Sequence, residues 1–207
     1  MPNPMNMPST AFERAVLEVF QKLAASIQDE VPPGHVRAYI SGGAAMHWLT
    51  HTRVSDDVDA IMSHNVLLPA GLIAAYCDSD GQERRVEYDT NYNPTLSLLH
   101  PDYQQRARPV ALSQDTGSAL DVFVLAPVDL AITKLARFAA RDQQDIQVLI
   151  DRGLLCDAEQ FRALAQEALG FYVGQKAIIK ENINDVFDWI AHKHHNANKP
   201  TGPRPGG

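Results

Sequence analysis

Asp57 and Asp59, with only Val58 between them, are the side chains whose spacing most directly implies chemistry. In an extended strand residues i and i+2 share a face, so the two carboxylates project together while Val58 and Ala60 face the opposite layer. Like charges held side by side repel, and a divalent cation between them removes the repulsion. Hard oxygen ligands suit Mg²⁺, which takes one or two carboxylates plus substrate phosphates. Upstream, the apolar run Val36 to Ile40 ends at Ser41 and the pair Gly42-Gly43. Without Cβ atoms these glycines let a phosphate approach the backbone, and a short apolar helix from Ala44 to Leu49 offers unpaired N–H groups and a positive dipole end. A phosphate cradle and a carboxylate pair on neighbouring strands are the apparatus for moving a nucleotidyl group.

Other reactive side chains are less clearly placed. Arg53, just before the carboxylate strand, could balance Asp56 or reach a triphosphate. His47 and His51 lie one helical turn apart, but no third ligand is evident, so they read as packed or solvated residues. Arg84, Arg85, Arg106 and Arg108 form the basic clusters of the middle of the chain, with a solvated face as the default. Asp121 heads the apolar strand Leu120 to Leu125 and needs a partner, because burying an unpaired charge is costly.

The elements that position these groups follow from periodicity. Thr10 caps a helix from Ala11 to Ile27, with Phe12, Ala15, Val16, Val19, Phe20 and Leu23 on one stripe. Val31-Pro-Pro-Gly34 breaks it, and a strand runs from His35 to Ile40. Apolar density predicts a helix over Val66 to Tyr76, ended by the turn Asp78-Ser-Asp-Gly81. Two β-like runs follow, Arg84 to Tyr88 and Thr95 to Leu99, joined by a polar loop. Pro127 opens a helix that bends or breaks near Ala139 to Arg141. Along it, Lys134, Arg141 and Asp145 fall within roughly 40° of one another at the edge of the apolar face, and Asp142 falls inside that face. Gly153 ends this segment, Asp157 caps a further helix to Leu169, and a last helix runs from Gln175 to His192. The domain organisation expected is a disordered start at 1–10, a main domain over 11–153, a helical region over 154–193, and a disordered tail at 194–207.

Composition narrows the class. Of 207 residues 45% are hydrophobic and 21% charged, as in an ordinary soluble protein. No apolar run is long enough to span a membrane, and the start lacks the pattern of a secretory signal. Cys77 and Cys156 have no metal-like spacing, which suits a reducing cytoplasm. A net charge of -7 argues against tight non-specific nucleic-acid binding, which rests on neutralising many phosphates.

Gly42-Gly43 followed by Asp57-Val58-Asp59 resembles the motif of the polymerase beta-like nucleotidyltransferase superfamily. The run Arg53 to Asp59 looks like its bacterial branch of AbiEii-like and MenT-like toxins and related domains of unassigned function. That resemblance implies an α/β (α+β) fold with a mixed sheet flanked by helices and a C-terminal helical region. It implies two Mg²⁺ ions held by Asp57, Asp59 and a third acid, for which Asp121 is the candidate and Glu87 the rival, with Asp121 taking the acceptor proton. Lys134-Leu135-Ala136 and Arg141 to Asp145 are similar to a family segment in which Lys134 contacts phosphate and Asp145 positions Lys134 or Arg141. The nucleotide site is then Ser41, Gly42, Gly43, Arg53, Lys134, Arg141 and Asp145. The substrate implied is a nucleoside triphosphate, the acceptor a tRNA or a protein, and the partner an antitoxin. Many members carry Ser where this chain has Gly43, so a side-chain phosphate contact is expected to be missing. Two alternatives stand beside this reading: a small-molecule nucleotidyltransferase using the arginine clusters, and a non-catalytic nucleotide-binding or antitoxin-like protein.

Overall fold

The computed structural model describes residues 10–110 and 117–197. The expected disorder before Thr10 and after Ala197 lies outside the described residues. Two compact units divide the chain: residues 1–96 with 101–130, and residues 97–100 with 131–207. The architecture is α+β, with two mixed sheets and, among the described residues, seven α-helices. None of these helices is long and apolar enough to cross a membrane.

The first unit opens with α1 (Ala11–Ile27), started by a reciprocal cap. Thr10 Oγ1 accepts from Glu13 N–H at 3.1 Å, and Glu13 Oε2 accepts from Thr10 N–H at 3.1 Å. This capping box satisfies two of the helix's orphan donors. The apolar stripe of α1 is buried from Phe12 to Ile27 and packs on β4 (Ile73–Cys77), β5 (Glu83–Tyr88) and β7 (Leu120–Val124). Burying a side chain such as Phe20 or Leu23 contributes about 1.5–3 kcal/mol.

One sheet has the order β3-β1-β7-β6, with β1 Val36–Ile40, β3 Ala60–Met62 and β6 Arg108–Pro109. β1 is parallel to β7 and antiparallel to β3. The other sheet has the order β2-β5-β4, with β2 the short Asp57–Val58, parallel to β5. The carboxylate strand is therefore not one strand. It leaves one sheet at Val58 and enters the other at Ala60, with Asp59 at the crossing.

Two expectations are corrected in this unit. The segment Val66 to Tyr76 contains no helix; its end is β4, where burial alternates along Ile73, Ala74, Ala75, Tyr76 and Cys77. That period of two overrides the apolar density, because Ala74 and Tyr76 alone need to face α1. Thr95 to Leu99 is not a strand either, since a single 3-10 turn spans Pro94–Leu96 and Asn93 caps it through its side chain.

α2 (Gly42–Thr50) follows β1, and α3 (Tyr103–Arg106) precedes β6. α4 (Pro127–Thr133) ends early, and Phe138 adopts φ +47 before α5 (Ala140–Asp151) begins. The expected break near Ala139 is thus a turn in the left-handed region. The second unit packs α5, α6 (Ala158–Phe171) and α7 (Lys176–Ala197) together. Asn182, buried on α7, donates to the Leu135 carbonyl at 2.9 Å, and Phe138 stacks on Trp189. α7 reaches Ala197, so it extends into the tail expected from residue 194 onward.

Candidate active site

The glycine turn is built by the end of β1 and the strand crossing beside it. Ser41 N–H donates to the Asp59 carbonyl at 2.9 Å, which fixes Asp59 against the start of α2. Gly42 has φ +55, and a Cβ placed there would overlap Asp59 Oδ2. Both the left-handed backbone and the packed carboxylate exclude a side chain. At Gly43 a Cβ would stand 2.6 Å from Ser55 Oγ and 2.9 Å from Arg53 Nη1. The loop after α2 therefore brings a hydroxyl and a guanidinium to the space that a residue-43 side chain would fill. Ser55 Oγ also donates to Asp57 Oδ1 at 2.5 Å.

Ser55, which the sequence analysis does not single out, thus places its hydroxyl where a serine side chain at position 43 would stand. Ser41 is buried, and its Oγ accepts from Tyr92 Oη at 3.4 Å.

Asp57, Asp59 and Asp89 each offer a carboxylate oxygen, and these oxygens all lie within 4.8 Å of one another. The third acid arrives by register. Asp57 stands opposite Glu87 and Val58 opposite Tyr88, and Asp89 N–H donates to the Val58 carbonyl at 3.1 Å, which continues the pairing beside Asp59. Asp89 Oδ1 accepts from Asn91 N–H at 2.8 Å, so the turn after β5 holds the carboxylate in place. The pKa of the buried Tyr88 hydroxyl is pushed up to about 12, first by burial and then by the charges of Asp89 and Asp59.

Asp121 is a correction. It pairs with Arg37, at the start of β1, whereas Asp59 meets Ser41, just past its end. At about 3.3 Å per residue the two lie roughly 13 Å apart along the strand. The Asp121 carboxylate faces the Gly34 turn instead, since a Cβ on Gly34 would be 3.3 Å from its Oδ2. The rival Glu87 is exposed and lies opposite Asp57 in β5.

In the second unit Lys134 and Asp145 meet. Lys134 Nζ donates to Asp145 Oδ2 at 2.7 Å and lies 3.9 Å from Asp142 Oδ1, all three residues being buried. Arg137 grips Asp142 through two bonds of 2.7 Å, while Arg141 is exposed. The arginine clusters of the first unit are partly committed. Arg84 pairs with Asp78 at 3.0 Å, and Arg106 holds the fully buried Asp129 through bonds of 2.9 and 2.7 Å. Arg85 and Arg108 are exposed.

Chemically, three oxygen donors beside a glycine turn and a helix N-terminus can take hard divalent cations together with a polyphosphate. No curated protein and no solved structure matches the chain. The sequence model of a family described as nucleotidyltransferase of unknown function (DUF6036) does match, over residues 15–193. With most of its length inside that match, the chain belongs to this family of nucleotidyltransferases of unknown function.

Proposed function

We propose that the protein moves a nucleoside monophosphate from a nucleoside triphosphate to a hydroxyl acceptor. The observation that supports it is the convergence of the Asp57, Asp59 and Asp89 carboxylates beside Gly42. These residues fit Mg²⁺ because all three donors are carboxylate oxygens and the two glycines leave room for phosphate against the backbone. Mg²⁺ bound there, as a pair of ions, supplies charge neutralisation at the reacting phosphate.

The chain's own groups do the rest. The backbone N–H groups at the start of α2 hold the triphosphate, with Arg53 and Ser55 reaching the same place. Ser55 orients Asp57, and the strand crossing orients Asp59, so the ligand oxygens are set before substrate arrives. Asp89 takes the acceptor proton in place of Asp121. Lys134, held by Asp145, is the further phosphate-binding group by family resemblance, and Arg141 lies on the same helix as Asp145.

The acceptor in this reading is a tRNA or a protein and the regulating partner an antitoxin, in a cytoplasmic setting. The small-molecule alternative loses support from the pairing of Arg84 and Arg106 with Asp78 and Asp129. The non-catalytic alternative loses support from the hydroxyl that Ser55 places beside Gly43.

The test incubates the protein with Mg²⁺, labelled nucleoside triphosphates and cell extract, with and without nuclease. Label enters a nuclease-sensitive or a protein fraction with wild type, and Asp59→Ala abolishes it. Label transfer that survives Asp59→Ala contradicts the reading.

A further inference from the structure

The acid cluster uses neither histidine of α2. Glu13, on the first turn of α1, and His47 are 3% and 6% exposed, and His51 stands at the C-cap of α2. Glu13 Oε1 lies 3.2 Å from His51 Nδ1 and 3.9 Å from His47 Nε2, and the three donor atoms all fall within 4.8 Å of one another. Ligand atoms on a tetrahedral Zn²⁺ with bonds of about 2.0–2.2 Å stand roughly 3.3–3.6 Å apart. Small side-chain adjustments therefore close this set around one ion. Two imidazoles and a carboxylate are a donor set for zinc, whereas the all-oxygen cluster at Asp57 suits magnesium.

The tautomer of His47 is fixed for this use. Its Nδ1 lies 2.8 Å from the Arg53 carbonyl, which can only accept, so the proton sits on Nδ1 and Nε2 keeps its lone pair as an acceptor. An imidazole that ligates metal commonly ties its other N–H to a carbonyl in this way. Nε2 now lies 3.0 Å from Thr10 Oγ1, and an ion there takes the place of that hydrogen bond.

The two histidines also border open space. A cavity of about 360 Å³ is lined by Thr10, His47, His51, Arg53 and Tyr76 among others. The cavity beside His47 and His51 leaves room for the water that would fill a fourth position on the metal.

We propose that Glu13, His47 and His51 bind one Zn²⁺ ion, tying the first turn of α1 to the end of α2 and to the loop that carries Arg53 and Ser55. The ion is structural: through the His47 bond to the Arg53 carbonyl it steadies the loop beside Gly43.

The test uses tag-free full-length protein, stripped with chelator and titrated with Zn²⁺ or Co²⁺ in excess Mg²⁺. Wild type takes up one equivalent of Zn²⁺, and the Co²⁺ form shows the strong visible absorption of a four-coordinate site. Zinc at a hundredfold over its Kd raises Tm by about 5–10 °C. Two variants keep the fold. His51→Asn accepts the left-handed backbone at φ 52, and Glu13→Gln can still reach back to Thr10 N–H. Each loses more than the roughly 10–100-fold in zinc affinity that removing an outer-shell partner costs. Asp59→Asn retains the equivalent. No zinc-dependent shift in wild type, an equivalent that survives in both ligand variants, or its loss in Asp59→Asn overturns the proposal.

Discussion

Asp89→Asn lowers nucleotidyl transfer by about 10³-fold, the equivalent of about 4 kcal/mol of lost charge stabilisation, while Asp121→Asn changes it by less than about twofold. The contrast follows from strand register. Asp89 is carried by β5 to the side of Asp59, and Asp121 is carried by β7 to the opposite end of β1. Asparagine is close in size to aspartate, and its carbonyl oxygen can still accept from Asn91 N–H, so Asp89→Asn removes charge without loosening the turn. Single-turnover label transfer at saturating triphosphate, with a melting curve for each variant, checks both halves. An active Asp89→Asn with an inactive Asp121→Asn contradicts the site.

Gly43→Ser, which installs the residue that many members of the superfamily carry, lowers transfer by about 10²-fold instead of raising it. A Cβ at that position meets Ser55 Oγ at 2.6 Å and Ser55 Cβ at 2.8 Å, so Ser55 must move. Ser55 also donates to Asp57, and its displacement turns a metal-ligating carboxylate away from its partners. Gly43→Ser with Ser55→Ala leaves more room and recovers part of the loss. The relative rates of the two variants in the same assay measure this coupling. A Gly43→Ser protein as active as wild type contradicts the assignment of Ser55.

The glycine turn and the Asp57/Asp59 pair were legible because both are local. A strand that ends in two glycines and a period of two around Val58 need no knowledge of the sheet. The third acid was not local. Asp121 stands at the head of a buried strand, but a parallel pair brings heads together, and the glycines lie past the tail of β1. The end of the sheet was therefore wrong for Asp121 on topology alone. Asp89 carried a signal of its own: Glu87 and Asp89 repeat the i, i+2 spacing of Asp57 and Asp59 at the end of a strand. Asp89 lies one residue past the end of β5, at the start of a polar loop whose acids are ordinarily solvated.

The helical stretches show the same division. α1 and α6 announce themselves through Thr10 and Asp157, whose side chains accept from Glu13 and Gln160 backbone N–H groups. The segment Val66 to Tyr76 has no such cap, and tertiary packing of Ala74 and Tyr76 decided for a strand. His47 and His51 were visible as a pair one turn apart. Their third neighbour, Glu13, belongs to another helix, and only the packing of α1 beside α2 brings it near.

The central claim is that Asp57, Asp59 and Asp89 together hold the divalent cations. A crystal structure grown with Mn²⁺ and a non-hydrolysable triphosphate measures this directly by anomalous scattering. Manganese peaks are expected within bonding distance of oxygens from all three carboxylates, with the triphosphate against Gly42 and Gly43. Manganese bound at Asp121, or a triphosphate bound away from the glycine turn, contradicts it.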